Sequence, residues 1–436
     1  METRKPEERA WMMVNRWLLI ISLIGIVFTA ACNNQSILDK HDDIQVPLQE
    51  KQEIVVWHTY SEEETRIFEN EIIPLFEKEY PMIDVKPVRQ SYTKQLKSAL
   101  VARASAKEPP DVVRMDIVWL PYFNKLGLLY PISDFAGFDQ IKSSLLNGPL
   151  QSNYFNGKYY GLPLDTNTKI AIYNKELLQR AGYTKPPNTM DQVLDIVVNH
   201  NAAISMAGLN AWESLPYFYA FGGKLLDRTY TKATGYLNSQ ESIHAVEKLL
   251  KLYKNSTSTK GRLTINTDRW NGIINGDSFM IDEGPWFYSI QSPEKVKKIV
   301  NTTVAAPFPV TNGQGSVLGG ENLVIMKGSQ HPSAAWQFVK WMVSKEPQEL
   351  MLKAGLIPIN KEIDFKKFIR DYPYYQAYID GINNAFLRPP VAKWDEIEQV
   401  YTNYFRLMFS GHIGVAEGLT AAAKEIDQLL AEDEGR

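Results

Sequence analysis

EIVVWHTY at 53–60 runs directly into SEEETRIFENEIIPLFEKEYP at 61–81, and this junction decides the fold. The first stretch is a continuous β-prone run of the kind buried on both faces of a parallel sheet. The second opens on Ser61 with Glu64 three residues later, a capping box, and carries an apolar stripe at Ile67, Ile72, Leu75 and Phe76. A strand feeding straight into an amphipathic helix is half of a βαβ unit. The other half follows as MIDVKPV (82–88), a helix from about Thr93 to Ala106, and PDVVRM (110–115). Alternation of this kind predicts an α/β chain built on parallel strands.

Further along, LPYFNKLGLLYPI (120–132) holds a short helix closed by Gly127. YFNGKYYGLPLDTNT reads as a hairpin turning at Asn156-Gly157. IAIYN (170–174) is strand-like, KELLQRAGY (175–183) is a helix stopped by Gly182, and Thr189 caps the next helix. From 190 to 300 the pattern is mostly helical with a break at Gly222-Gly223. VAAPFPV (304–310) and LVIM (323–326) return to strand, 331–355 makes one or two helices, and the end from about Pro389 is helical. The chain therefore reads as two α/β bodies, with late strands returning to the first.

At roughly 150 residues per domain, a length of 436 agrees with two or three bodies. Lys and Arg total 47 against 50 Asp and Glu, a net charge of −3, so no basic surplus exists for nucleic acid as the main partner. The single cysteine, Cys32, excludes an internal disulfide or a thiolate metal cluster. It ends a charge-free run from Trp17 to Ala31, LLIISLIGIVFTAA at its heart, with Arg4, Lys5, Arg9 and Arg16 upstream. A basic start, a short apolar stretch and small residues before the cut form an export signal, and this run is shorter than the roughly 20 residues a membrane span needs. TAAC (29–32) resembles a bacterial lipobox, although Thr29 stands where Leu is usual. Cys32 is thus the expected lipidation site and new N-terminus, after a signal peptide at 1–31. Met12 or Met13 would give a cleaner start than Met1, and an uncleaved signal anchor is the competing reading. The polar residues 32–52 read as a flexible tether.

Catalytic and cofactor motifs are missing. There is no Gly-x-Gly-x-x-Gly, Walker loop or Gly-x-Ser-x-Gly elbow, and the six histidines form no His-x-x-x-His pair, so no metal or cofactor is expected. His58, at the end of the first strand, reads as structural.

The informative residues lie where predicted strands end, because ligands of open α/β sheets sit at the carboxyl ends of the strands. After the first strand come Thr59, Tyr60, Ser61 and Glu62; after the third, Asp116 and Trp119; after the hairpin, a turn at Asp165, Thr166 and Asn167. SFMI (278–281) leads to DEGPW (282–286), where Pro285 starts a helix that turns Trp286 toward the cleft. Gly319, Gly320, Glu321 and Asn322 precede LVIM. Aromatic faces mixed with short amides and carboxylates suit sugars, whose C–H faces stack on rings while their hydroxyls bond planar polar groups. Each position also has a plain structural reading: Ser61 as a cap, Trp119 as core, Asp165–Asn167 as a turn, Gly319-Gly320 as a close backbone approach. Trp286 and Glu321 are explained least well that way.

Several segments in order, VVWHTYSEEE (55–64), PPDVVRMDIVWLPYFNKLGLLYPI (109–132), NGKYYGLPLDTNTKIAIYNKELLQRAGYTKPPNTMDQ (156–192), NGDSFMIDEGPW (275–286) and LGGENLVIMKGSQHPSAAWQFVKWM (318–342), resemble the family 1 extracellular solute-binding proteins. These are the carbohydrate-binding components of ATP-driven (ABC) importers, maltose-binding protein among them. The resemblance implies a type II periplasmic-binding-protein fold, with lobe 1 at 53–166 and 305–357, lobe 2 at 167–304 and 358–436, and crossings near 166–169, 302–306 and 356–360. It implies a monomeric, non-enzymatic receptor that holds a sugar between the lobes and passes it to membrane permease subunits, anchored to the cell membrane by its lipid. By position, Trp286 matches the family's sugar-stacking Trp. Residues 59–62, Asp116, Asp165–Asn167 and Gly320-Glu321 match ligand loops, whereas Trp212 and Trp394 fall where the family varies.

Two other readings stay open. An exported carbohydrate hydrolase or lyase would pair Asp116 with Glu321, but no dedicated proton donor accompanies them. The same fold binding a polyol phosphate, an amino acid or a metal is the second; a phosphate would favour arginines such as Arg89 and Arg114.

Overall fold

The computed structural model describes residues 50–254 and 263–434; the signal segment, Cys32 and the tether as far as residue 49 lie outside the described residues. The opening run folds as strand β1 (Gln52–His58), parallel to β2 (Ile83–Arg89) and β3 (Val112–Asp116). Ile54, Val56 and His58 are buried, but Val55 and Trp57 are only half covered, so one face of β1 is less tightly packed than the run implied. Ser61 and Glu64 exchange both capping bonds, and the helix they start continues to Glu79 through one wide turn at Phe68–Ile72.

Strands β4 (Tyr154–Phe155) and β5 (Lys158–Tyr159) form the expected hairpin, with φ of 47° at Asn156 and 83° at Gly157, both positive as a two-residue primed turn requires. Residues after it depart from expectation. Asp165–Asn167 is not a turn: it lies inside β6 (Leu162–Thr168), a strand buried along nearly its whole length. One residue, Lys169, then separates β6 from β7 (Ile170–Asn174).

Next come β8 (Ile204–Met206), β9 (Leu263–Ile265), β10 (Met280–Glu283) and β11 (Thr303–Ala306), followed by the long β12 (Ser316–Ile325), β13 (Ile357–Pro358) and β14 (Ala385–Leu387). Two main sheets result. The first runs β13-β6-β12-β3-β1-β2 with β14 also on β12; the second runs β11-β7-β10-β8-β9. Both are mixed rather than purely parallel, because β12 pairs antiparallel to β3 and β6, and β7 pairs antiparallel to β10 and β11. The chain passes between the sheets at Lys169, between Ala306 and Ser316, and after Pro358.

The two C-terminal helices, Trp394–Phe409 and Val415–Glu434, pack into the same core as the helices at 190–199, 211–220 and 240–254, beside the second sheet. At the first crossing the Lys169 side chain is fully buried between the carboxylates of Glu213 and Asp282, and Tyr217 donates to Asp282 at 2.8 Å. Burial alone would lower the lysine pKa; the acids outweigh it and hold the ammonium raised.

Candidate functional site

The carboxyl ends of β1, β2 and β3 open into a cavity of about 1210 Å³ whose opposite wall comes from the second sheet's body. Lobe-one lining includes Thr59, Tyr60, Ser61, Tyr92, Asp116, Gly319, Gly320 and Glu321; across the gap stand Asn210, Trp212, Trp286 and helix 394–409. Of the residues picked from sequence, Thr59, Tyr60, Ser61, Asp116, Asn167, Trp212, Trp286, Gly320 and Glu321 all border this one cavity. Glu62, Trp119 and Asp165 do not. Glu62 is exposed in the first turn of its helix. Trp119 is buried and stacks behind Tyr92, with ring centroids 5.8 Å apart. Asp165 is 2% exposed and faces the guanidinium of Arg114. Trp394 is core, at 1% exposure.

On the lobe-one side Arg114 is the organising group. Its Nη1 donates to Thr59 Oγ1 at 2.9 Å, its Nη2 serves both Asp165 (3.1 Å) and Glu321 (2.9 Å), and its plane lies over the Tyr60 ring at 4.5 Å. Two carboxylates share one arginine here. Burial pushes the Glu321 carboxyl well above the ordinary carboxylate range; Arg114 draws it down, and Asp165 and Asp116 push it up again. Sharing fixes the position of all three groups, which is what orienting a polar ligand demands. Asp116 accepts from the Tyr92 hydroxyl and from the Val118 amide, so its carboxylate is also fixed.

His58 lies just behind, buried against Tyr60 and Phe68. Glu69 is 3.7 Å away, yet burial, followed by Arg114 and Arg89, lowers the imidazole pKa to about 4, so the ring is neutral and the pair is not ionic.

On the opposite wall Trp286 opens a short helix directly after Pro285, as the sequence predicts. Its indole donates to Glu283 Oε1 at 2.8 Å, and the other oxygen of that buried carboxylate takes Trp270 and Arg269. Gly284 is required because a Cβ there would come within 2.2 Å of the Trp286 ring. Trp212 stands 6.2 Å from Trp286, tilted by 33°, so the two rings form a bent aromatic wall. The Trp212 edge reaches Gly319 of the facing sheet, where a Cβ would come within 2.8 Å of it.

Sequence reasoning missed Tyr92 and Arg388. Tyr92 follows β2 as Thr59 follows β1, so the strand-end argument, extended to β2, reaches it. Arg388 follows β14, a strand with no local signature. Among the described residues, no group of three or more His, Cys, Asp or Glu side chains is arranged to hold a metal ion, and no helix is long and apolar enough to cross a membrane.

Comparison with known proteins gives this geometry its context. The maltotriose-binding protein of Pyrococcus abyssi is 25% identical over 353 residues, covering 78% of this chain and 74% of that protein. The GacH receptor of Streptomyces glaucescens, solved unliganded and with acarbose, superposes with a TM-score of 0.73 at 25% identity, over 88% of this chain and 99% of the receptor. The sugar-binding protein MalE of Xanthomonas citri has the same fold, with a TM-score of 0.76 at 22% identity over 88% of this chain and 98% of that one. The molecule is thus a two-lobed binding protein with its cavity between the lobes. Its family is one of receptors rather than enzymes, working outside the cytoplasm. Residues 71–377 match the family described as bacterial extracellular solute-binding protein, and the chain belongs to that family.

Proposed function

We propose that the protein is a receptor for a sugar or oligosaccharide, which it encloses between its lobes and delivers to the permease of an ABC importer. The observation that carries this reading is the bent Trp212–Trp286 wall facing the fixed polar set of Asp116, Arg114 and Glu321. Rings offer faces to C–H groups, and the carboxylates and guanidinium offer paired bonds to hydroxyls. The names of the Pyrococcus and Streptomyces relatives point the same way. Thr59, Ser61 and Asn167 complete the ligand contacts, and closure about the crossings at Lys169, 307–315 and the segment after Pro358 buries the ligand. The sugar shifts that equilibrium only by its preference for the closed form.

The same proposal makes the protein a monomer anchored through lipid on Cys32, with the polar tether keeping it near the permease and raising its local concentration there. Labelled palmitate incorporated in the wild type and absent from Cys32→Ser supports the anchor; equal labelling removes it.

The ligand reading is tested on residues 33–436 by tryptophan fluorescence and thermal melting against mono- and oligosaccharides, with glycerol phosphate and amino acids as contrasting solutes. A saturable response to one sugar class, with a raised melting point and the sugar recovered intact, is the expected result. Trp286→Ala should weaken that response about 30-fold or more, the scale of a buried aromatic anchor. A response only to the contrasting solutes, or a cleaved sugar, rejects the proposal.

A further inference from the structure

Arg388 connects the two walls of the cavity. It follows β14, belongs to the first sheet's edge, and is 8% exposed. Its guanidinium lies over the Trp212 ring of the second lobe, 5.0 Å from the centroid, and its Nη2 is 3.5 Å from Asp116 Oδ1 of the first. That distance is an ion pair but not a good hydrogen bond. Its Nε is buried and has no protein acceptor. A guanidinium has five donors, and leaving them unmade in a desolvated place is costly. Arg388 is therefore a stacked, oriented and under-bonded cation at the wall of the cavity. Asp116 balances its charge from 3.5 Å without making a good hydrogen bond to it, one carboxylate oxygen being drawn to the Val118 amide and the other to the Tyr92 hydroxyl.

From this geometry we infer that Arg388 is a specificity-determining residue of the cleft: it donates to a ligand oxygen while holding Trp212 at the angle the ligand meets. The inference rests on the sugar-receptor reading for its ligand half, whereas the hold on Trp212 does not. Ring contact and the Asp116 pair set the guanidinium plane, so the direction of its free donors is fixed before the ligand arrives. Such preorganisation discriminates between epimers, because a hydroxyl on the wrong face leaves the donor unpaired. Lysine in its place keeps the charge and loses both the plane and the stack.

The test uses Arg388→Met, which keeps length and removes charge, and Arg388→Lys. With the tightest-binding sugar of the panel as probe, Arg388→Met should weaken binding roughly 10- to 100-fold, the range for a charge-assisted hydrogen bond. Arg388→Lys should fall between, and the ratio of affinities for epimeric sugars should narrow in both. Without ligand, acrylamide quenching is compared in chains with Trp212 and with Trp212→Phe, which isolates that ring; Arg388→Met should open it to quencher while the melting point stays near wild type. A wild-type chain that binds a sugar, with Arg388→Met within two-fold of it, overturns the inference and leaves the receptor reading standing. Unchanged quenching of Trp212 also overturns it. If no sugar binds the wild type, the receptor reading falls together with the ligand half, and the quenching still decides the hold on Trp212.

Discussion

Glu283 shows how much one buried side chain can arrange. Its two oxygens take the indoles of Trp286 and Trp270 and the guanidinium of Arg269, so the ligand-facing ring is aimed by a carboxylate that never meets the cavity. Glu283→Gln keeps the shape and removes the charge opposite Arg269; it should cost roughly 3 kcal/mol in denaturant unfolding and shift the tryptophan emission. His58 ties stability to pH. Its pKa is depressed to about 4 from the ordinary 6.5, so the unfolded chain binds its proton first. The stability it contributes is complete above pH 6.5 and is lost as pH falls toward 4, by at most about 3.5 kcal/mol at 1.4 kcal/mol per pH unit. Melting curves of His58→Phe should therefore be flatter over that window than those of the wild type; parallel curves would reject the assignment. In the sequence His58 is legible only as a structural residue ending a strand and Glu283 only as part of the DEGPW stretch after one, because what defines them is the neighbours that distant segments supply.

Local signals explain the elements well where they rest on backbone chemistry. The caps at Ser61 and Thr189, the Asn156-Gly157 turn and the stops at Gly127 and Gly182 all fall where their residue types require. Ser61→Ala should cost about 1 kcal/mol as a lost N-cap. The sequence is less informative about pairing. Asp165-Thr166-Asn167 has the composition of a turn but is held extended between β12 and β13, where the sheet pairs its backbone and Arg114 donates to one oxygen of the aspartate. Gly320, by contrast, keeps the close backbone approach that the Gly319-Gly320 pair suggests, and forms a tight seam. Its φ is 127°, and a Cβ would come within 2.4 Å of the Asp165 carbonyl oxygen. Gly320→Ala should destabilise by roughly 3 kcal/mol or more and disturb Glu321 beside it. A variant that melts like the wild type would show that the seam gives way.

At the level of the whole molecule, two lobes and a cleft were legible because the order of strands and helices carries them. The ion pairs that cross the cleft were not, since their members are hundreds of positions apart. Lys97, on a helix of the first lobe, meets Asp395 of the C-terminal helix pair at 2.7 Å, with its ammonium also over Tyr122. Lys125 meets Asp433 in the same way. Each pair ties the first lobe to the second with no ligand between them. Lys97→Met should therefore widen the ligand-free molecule in small-angle scattering, and molar salt should do the same to the wild type through screening. No change in either case would show that these pairs do not hold the lobes together. The strand β12 has a consequence of another kind. It lies between β3 and β6, yet it is made long after both, so on the ribosome the earlier strands wait for the piece that joins them. Until residue 325 has been synthesised the first sheet has a gap at its centre, and a long, pliable nascent chain is available to be threaded across a membrane before it can lock.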